Sequence, residues 1–416
     1  MKNYLIRYIS IVFLGLMFVF SCRNKENKNL SFDLENLNVD IKLSQSYNIN
    51  NIYSSEERIK LSTSDSSLVG MILDFKISKN RFYLLTFDGF VFSFAKNGDL
   101  IYKINKTGKG PEEYVHAMSL WVEPDDKYIK IMDRGSKSVV ILDSLGHFIS
   151  RWNIGLYAMK IFEHDGLNYV MDGGSENFCK KQLSFNQLFI FDNQFDLKVR
   201  FLPTNEIMCN IGIGDRLDII SVKDEMRARV LYNDTIYSIK KQNDNVKITP
   251  KYLLDYGNNA IPDGIFEKTQ NITLHEFEKI CIQNKYIYDI YRYLETKEHI
   301  FFTFKQERTS NLYFYSKVKK QSKIIDKFII PFNGFKYKRN ITYYDLPYIS
   351  NDDYLYFILE PSDFIKELDN IKNNLEEQKW EKFKKENQEY YEFVSGLTML
   401  DNPVIVKRKI NSEMFN

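Results

Sequence analysis

From about residue 52 onward the chain reads as short apolar or alternating runs, each closed by Asn, Asp or Gly. Alternation with a period of two sends successive side chains to opposite faces of a strand. Arg81–Asp88 is one such run, and Gly89–Phe94 follows it. Lys96-Asn97-Gly98-Asp99 makes a hairpin turn and Leu100–Ile104 returns. The block then recurs as Lys127–Asp133, Ser138–Asp143, a turn at Ser144-Leu145-Gly146-His147, and Phe148–Trp152, with the turn glycines 48 positions apart. A third, blurred copy runs through Tyr169–Asp172, Leu188–Asp192, a turn near Gln194-Phe195-Asp196, and Leu197–Arg200. A period in the forties with four strands per copy predicts a β-propeller. One four-stranded sheet cannot bury both of its faces, whereas sheets packed face to face around an axis can. Division of residues 65 to 410 by the period allows six or seven copies. Because insertions take up length, the expectation is an all-β, six-bladed β-propeller of four-stranded antiparallel blades over residues 51–416. Glu57–Leu61 and Val404–Arg408 are each short of a full blade, so the N-terminal strand is predicted to complete the last blade.

Two segments break the strand pattern. At about 362–395, Phe364, Leu368, Ile371 and Leu375 recur at helical spacing, and Trp380, Phe383, Tyr390 and Val394 continue the stripe. This predicts one or two helices inserted in the last blade. They should pack on the propeller, cap one rim and restrict one mouth of its channel. Residues 258 to 285, with a short helical stretch from Leu274, read as an inter-blade excursion. At the other end of the chain, Lys2 and Arg7 precede an apolar run from Ile9 to Phe20. The run closes on Val19-Phe20-Ser21-Cys22 before an abruptly polar stretch. This order is that of an export signal. It is shorter than the roughly 20 residues of a spanning helix. Cys22 directly after a small residue resembles the lipobox of bacterial lipoproteins. The resemblance implies a signal peptide over residues 1–21 and lipid on the Cys22 sulfur. Residues 22–50, polar and rich in Asn, are then expected to be a flexible tether.

A family resemblance rests on three stretches. Gly108-Lys109-Gly110-Pro111-Glu112-Glu113-Tyr114, followed by a strand and then Ile131-Met132-Asp133, is the first. Asn233–Ile239 leading to Pro250-Lys251-Tyr252 and Asp255-Tyr256-Gly257 is the second, and Asp401–Val406 is the third. In this order they resemble the six-bladed β-propeller lipoproteins of Bacteroides and relatives, which are related in shape to NHL-repeat propellers. Those proteins carry a glycine where this chain has Glu112. The resemblance implies the architecture and an address: the envelope of a Gram-negative bacterium. The chain would be lipid-anchored at the outer membrane, facing the periplasm, with surface exposure as the alternative. The mixed, rather basic stretch after Cys22 favours the periplasmic face. The resemblance implies little chemistry.

Composition narrows that chemistry. A net charge of +2 argues against a nucleic-acid surface. Cys179, Cys209 and Cys281 form no Cys-x-x-Cys pair. Buried free thiols are expected, with Cys179–Cys209 the first pair to consider for a disulfide. The five histidines have no second His or Cys at ligand spacing, so no metal and no cofactor is expected. Gly108–Pro111 lacks the Gly-Lys-Ser/Thr ending of a phosphate loop and reads as a tight turn between blades. Lys109, Glu112, Glu113 and Tyr114 on that turn are the candidate binding loop, if it faces the channel mouth. Two functions stay open. One is a non-catalytic scaffold for a protein or carbohydrate ligand, acting as a monomer. The other is a hydrolase or lyase acting on a glycan or lactone in the channel, with catalytic residues unknown. For the anchor, Cys22→Ala is expected to move the protein from the membrane to the soluble fraction. Equal retention in fractionated membranes would refute the lipid reading.

Overall fold

In a computed structural model the described residues are 34–172, 186–203, 217–230, 233–243, 245–265, 272–332, 335–342, 345–351 and 354–416. The export signal, Cys22, Cys179 and Cys209 lie outside them. Six antiparallel four-stranded blades follow one another. Blade 1 is Ile72–Ile77, Arg81–Thr86, Phe90–Ala95 and Leu100–Asn105. Blade 2 is Ala117–Val122, Tyr128–Asp133, Ser138–Asp143 and Phe148–Asn153. Blade 3 is Ala158–His164, Leu167–Asp172, Asn186–Phe191 and Leu197–Pro203. Blade 4 is Leu217–Val222, Glu225–Val230, Thr235–Gln242 and Asn245–Asp255, and blade 5 is Ile287–Glu295, His299–Gln306, Thr309–Ser316 and Gln321–Phe332. Blade 6 takes Ile349–Asn351, Tyr354–Leu359 and Val404–Ile410 from the end of the chain and Tyr53–Lys60 from its beginning. First strands touch at the junctions of blades 1–2, 2–3, 4–5 and 5–6, and residues at the start of every blade border one axial cavity.

The alternation seen in the sequence feeds two cores at once. In blade 1, Tyr83 and Leu85 pack toward Leu120, Ile131 and Val140 of blade 2. Their neighbours Phe82 and Leu84 pack the other way, onto Tyr356, Ile358 and Ile405 of blade 6. Met132 and Val139 of blade 2 likewise face Val170 and Phe189 of blade 3. Each of the six blade interfaces has such an apolar cluster. A sheet sandwiched on both faces needs large side chains at nearly every position of its middle strands. This accounts for the abundance of Phe and Tyr.

The ring closes as the orphan strands predicted. Val404 pairs with Lys60, Ile405 with Ile59 and Arg408 with Glu56. Cross-strand charges match: Arg408 Nε lies 2.7 Å from Glu56 and Lys407 Nζ 3.1 Å from Glu57. Asn402, fully buried, donates from Nδ2 to the carbonyls of Ser62 and Ser67 and accepts from Val69 N. It thereby clips the link from blade 6 to blade 1, which gives the Asp401-Asn402-Pro403 motif a structural reason.

The expected tether extends too far. Residues 35–48 belong to the propeller: Glu35–Asn38 pairs in parallel with the outer strand of blade 4, and Ser44–Asn48 does so with that of blade 5. Leu37 and Val39 are fully buried, and the Glu35 carboxylate takes Tyr315 Oη and, at 2.7 Å, Lys320 Nζ. A one-turn helix, α1 (Ile49–Ile52), then leads into the closing strand. The excursion after blade 4 carries α2 (Leu274–Asn284), capped by Thr273 and Glu276. Its Cys281 is a buried free thiol, and burial pushes its pKa up to about 12. The insert in blade 6 is three helices: α3 (Pro361–Asn373), α4 (Glu377–Glu386) and α5 (Gln388–Ser395). Asn374, whose amide caps Asn370 O, and Asn387, which caps Phe383 O, end the first two. Phe364 and Val394 join the cluster between blades 5 and 6. Ile371, Trp380 and Phe383 pack on Phe332 and Phe335 of the neighbouring hairpin. The insert thus covers the rim at blades 5 and 6. Among the described residues no helix is long and apolar enough to cross a membrane.

Two stability tests follow. Burial alone would raise the Glu56 pKa, but the Arg408 and Arg58 guanidiniums outweigh it and hold the carboxylate at about 2. Its contribution is complete above the ordinary glutamate pKa and disappears as pH falls toward 2. With the side chain 26% exposed, this amounts to about 2 kcal/mol. Glu56→Gln should lack that portion of the acid dependence in urea melts at pH 2–5; parallel curves would contradict it. In the insert, Ile371 is fully buried and Leu368 half-buried. Ile371→Ala is expected to cost about 2–4 kcal/mol and Leu368→Ala less. The reverse order in urea denaturation would place the stripe elsewhere.

Candidate functional site

The first strands enclose an axial cavity of about 360 Å³ to which all six blades contribute. Its carboxylates are Asp74 from blade 1 and Asp218 from blade 4; its cations are Lys76, Lys160 and Arg292. Asp74 accepts from Lys76 Nζ at 2.6 Å, from Phe75 N at 2.9 Å and, across the blade interface, from Leu120 N at 2.8 Å. Asp218 is held by Arg229, at 3.1 Å from Nε and 2.7 Å from Nη2. Arg229 Nη2 also donates to Ile290 O of blade 5 at 2.8 Å, tying the two first strands together. Both carboxylates therefore serve the frame of the cavity. Phe162, Tyr291 and Tyr348 supply aromatic wall, and Lys76 Nζ sits 5.4 Å from the Phe162 centroid.

The blade 5 first strand is irregular where it meets the cavity. Its register with His299–Gln306 slips between Tyr288 and Tyr291 and again between Tyr291 and Leu294. Asp289 and Arg292 have φ of +58° and +49°. Neither is glycine, and such residues in this region carry strain of about 1–3 kcal/mol each. Five consecutive residues of this strand, Ile290 to Leu294, border the cavity; Ile290 and Tyr293 also pack in the core between blades 4 and 5, and Leu294 in that between blades 5 and 6. Arg292 Nη1 donates to Leu346 O at 3.0 Å, and its guanidinium carbon lies 3.9 Å from the Tyr348 ring centroid. Behind Tyr293, the fully buried Glu295 takes Tyr293 Oη at 2.5 Å, Lys317 Nζ at 2.9 Å and Arg227 Nε at 3.0 Å. Burial lowers the Lys317 pKa, with Glu295 opposing.

A second cavity, of about 420 Å³, lies at the rim between α3, α5, the closing strand and the hairpin that Gln321–Phe332 forms with Phe335–Asn340. Its charges are matched among themselves. Arg339 grips Asp345 through two bonds of 2.6 and 2.7 Å, Glu56 takes Arg58 and Arg408, and Tyr390 Oη donates to Glu367 at 3.1 Å. Burial raises the Glu367 pKa against the pull of Arg339.

Neither cavity is lined by the loop singled out in the sequence. Lys109 and Glu112 are exposed. The Glu113 carboxylate folds back under the turn and accepts from Gly110 N at 2.7 Å, in the space a side chain on Gly108 would fill. Tyr114 is fully buried between blades 1 and 2 and donates to Gly89 O at 2.7 Å. Asp133, of the Ile131-Met132-Asp133 motif, receives Val115 N, His116 N and Gly135 N at 2.9–3.1 Å. The structure thus brings Glu113, Tyr114 and Asp133 together as the lock on the link between blades 1 and 2. Among the described residues no group of three His, Cys, Asp or Glu is disposed to hold a metal.

These features define a six-bladed β-propeller with an axial cavity. The chain belongs to the DUF4934 family, a domain of unknown function, whose model matches residues 34–409. Among solved structures it is similar to a candidate exported protein from Bacteroides fragilis. The two are 18% identical over 90% of this chain and 99% of that one, with a TM-score of 0.68. A DUF4221 family member from Bacteroides vulgatus is 10% identical over 86% of this chain and 97% of its own, with a TM-score of 0.47. No curated protein matches this chain.

Proposed function

We propose that the protein is an exported, lipid-anchored receptor of the Gram-negative envelope whose propeller binds a small ligand in the axial cavity without transforming it. The observation that carries this reading is the cavity itself. It takes lining from every blade and, at about 360 Å³, falls within the range of small-molecule sites. A rigid ring of sheets holds its walls without any ligand-induced ordering, which lowers the cost of binding. The address rests on the export signal and the lipobox-like Ser21-Cys22. The similar protein of Bacteroides fragilis, itself described as a candidate exported protein, agrees with it. Glycan hydrolysis is disfavoured because it needs a carboxylic acid and a carboxylate flanking the scissile bond. Asp74 and Asp218 are instead both occupied by cations or backbone amides. Facing the periplasm, such a receptor would meet sugars, sugar acids and short peptides.

A screen of those three classes by thermal shift and calorimetry is expected to yield a ligand. Met159→Trp, which fills the cavity from blade 3, should weaken that ligand at least tenfold while Tm stays within a few degrees. Equal affinity in both proteins would place the ligand outside the axial cavity and overturn the reading.

A further inference from the structure

We propose that the rim cavity is a second binding site, separate from the axial one, and that it takes an uncharged, ring-bearing molecule with a hydroxyl group. Three observations carry it. The first is the space and its walls. At about 420 Å³ the cavity falls within the range of small-molecule sites. It lies where two apolar clusters meet. Ile330, Leu359 and Phe364 pack in the cluster between blades 5 and 6, Phe332 packs in the one beneath the insert, and Tyr390 packs in both. Ile330, Phe332, Leu359 and Tyr390 are each half-buried, so protein atoms leave part of every one uncovered. The Phe332 and Tyr390 rings, with centroids 5.1 Å apart, offer a third ring a surface to pack on. Water between apolar walls finds few hydrogen-bond partners, and an apolar group displaces it readily.

The second observation is that the charges in the wall are committed to one another. Arg339 gives two bonds to Asp345, which also accepts from Thr342 N at 2.7 Å and Oγ1 at 2.9 Å. Arg58 and Arg408 both hold Glu56. Asp363 accepts from Glu360 N at 3.2 Å at the start of α3. Burial raises the Asp363 pKa, while the Glu360 amide and the exposed Lys366 oppose the rise. An ionic ligand would have to break one of these pairs or give up its own water without a partner. The third observation is Glu367, on the same helix. Its Oε1 takes Tyr390 Oη at 3.1 Å, but its Oε2 has no hydrogen-bond donor among the described residues. Arg339 Nε lies 3.8 Å from it, beyond hydrogen-bond reach. A half-buried carboxyl oxygen left in this way is a place for a polar group from outside the chain. A hydroxyl both donates and accepts, so it suits this oxygen with or without a proton on it.

Fluorescence titration of the mature chain at neutral pH with 2-naphthol, 2-methylnaphthalene, 2-naphthoate and 2-naphthylmethylamine tests the inference. 2-Naphthol should bind at least tenfold more tightly than the carboxylate or the amine and severalfold more tightly than 2-methylnaphthalene, and it should raise Tm. Leu359→Trp, which fills the cavity from blade 6, should weaken 2-naphthol at least tenfold. In Glu367→Met the hydroxyl should lose its advantage over the methyl group. That comparison is internal to one variant, so it stays decisive if Leu359→Trp fails to fold. Met159→Trp, in the axial cavity, should leave 2-naphthol binding unchanged, so the two sites stand or fall separately. The inference fails if none of the four binds, if either ion binds best, or if the advantage of the hydroxyl survives Glu367→Met. It also fails if Met159→Trp removes binding and Leu359→Trp does not.

Discussion

Pairing between Val404–Ile410 and Tyr53–Lys60 is the interaction on which the rest of the molecule depends. Six blades give six apolar interfaces only if the circle is shut. Left open, the interface between blades 6 and 1 would expose Phe75, Phe82, Phe92 and Phe94 on one side and Tyr356, Ile358 and Ile405 on the other. Each buried side chain of this kind contributes roughly 1.5–3 kcal/mol, so closure is worth more than the hydrogen bonds that effect it. Asn402 and the Glu56–Arg408 pair then fix the register of the seam. The axial cavity is a by-product of the same closure, because its walls are six strands that meet only in the finished ring.

The blades were legible because their other three strands, those after the first, are short apolar or alternating runs that turn on Gly98, Gly146 or Asp192–Asp196. The first strands were less so. They carry the residues of the cavity, such as Lys76, Lys160 and Arg292, at positions where a strand would ordinarily be apolar, and no local motif marks them. These residues are far apart in sequence, and only the ring assembles them, so spacing along the chain held no sign of the site. The conspicuous loop, Lys109 to Tyr114, misleads for the opposite reason. Its glycines, Glu113 and Tyr114 form a dense local pattern because they build a tight, buried link between blades. The edge strand Ser44–Asn48 was mistaken for tether because its side chains are polar. A parallel strand added to a sheet edge needs only backbone groups to pair. The helical insert was legible as a stripe, but not its division at Asn374 and Asn387.

The two cavities differ in a way that composition cannot reveal. At the rim, Arg339 pairs with Asp345, and Arg58 and Arg408 pair with Glu56, and this network holds the closing strand, the hairpin and α3 in place. At the axis, Asp74 and Asp218 are held by Lys76 and Arg229, and the wall includes an irregular strand with two residues of positive φ. Export and the anchor are claims about the first 22 residues, and the propeller geometry neither requires nor opposes them.

The two strands of the seam are separated by 350 positions, the distance in sequence between Glu57 and Lys407. Five blades can fold as they emerge, since each closes on local hairpins, but the sixth cannot. Until Val404–Ile410 exists, Tyr53–Lys60 has no antiparallel partner and the apolar faces beside it stay wet. Contacts of such long range form slowly. The circle therefore acts as a length check. A chain that lacks Val404–Ile410 would leave Tyr53–Lys60 unpaired and the apolar faces between blades 6 and 1 in water.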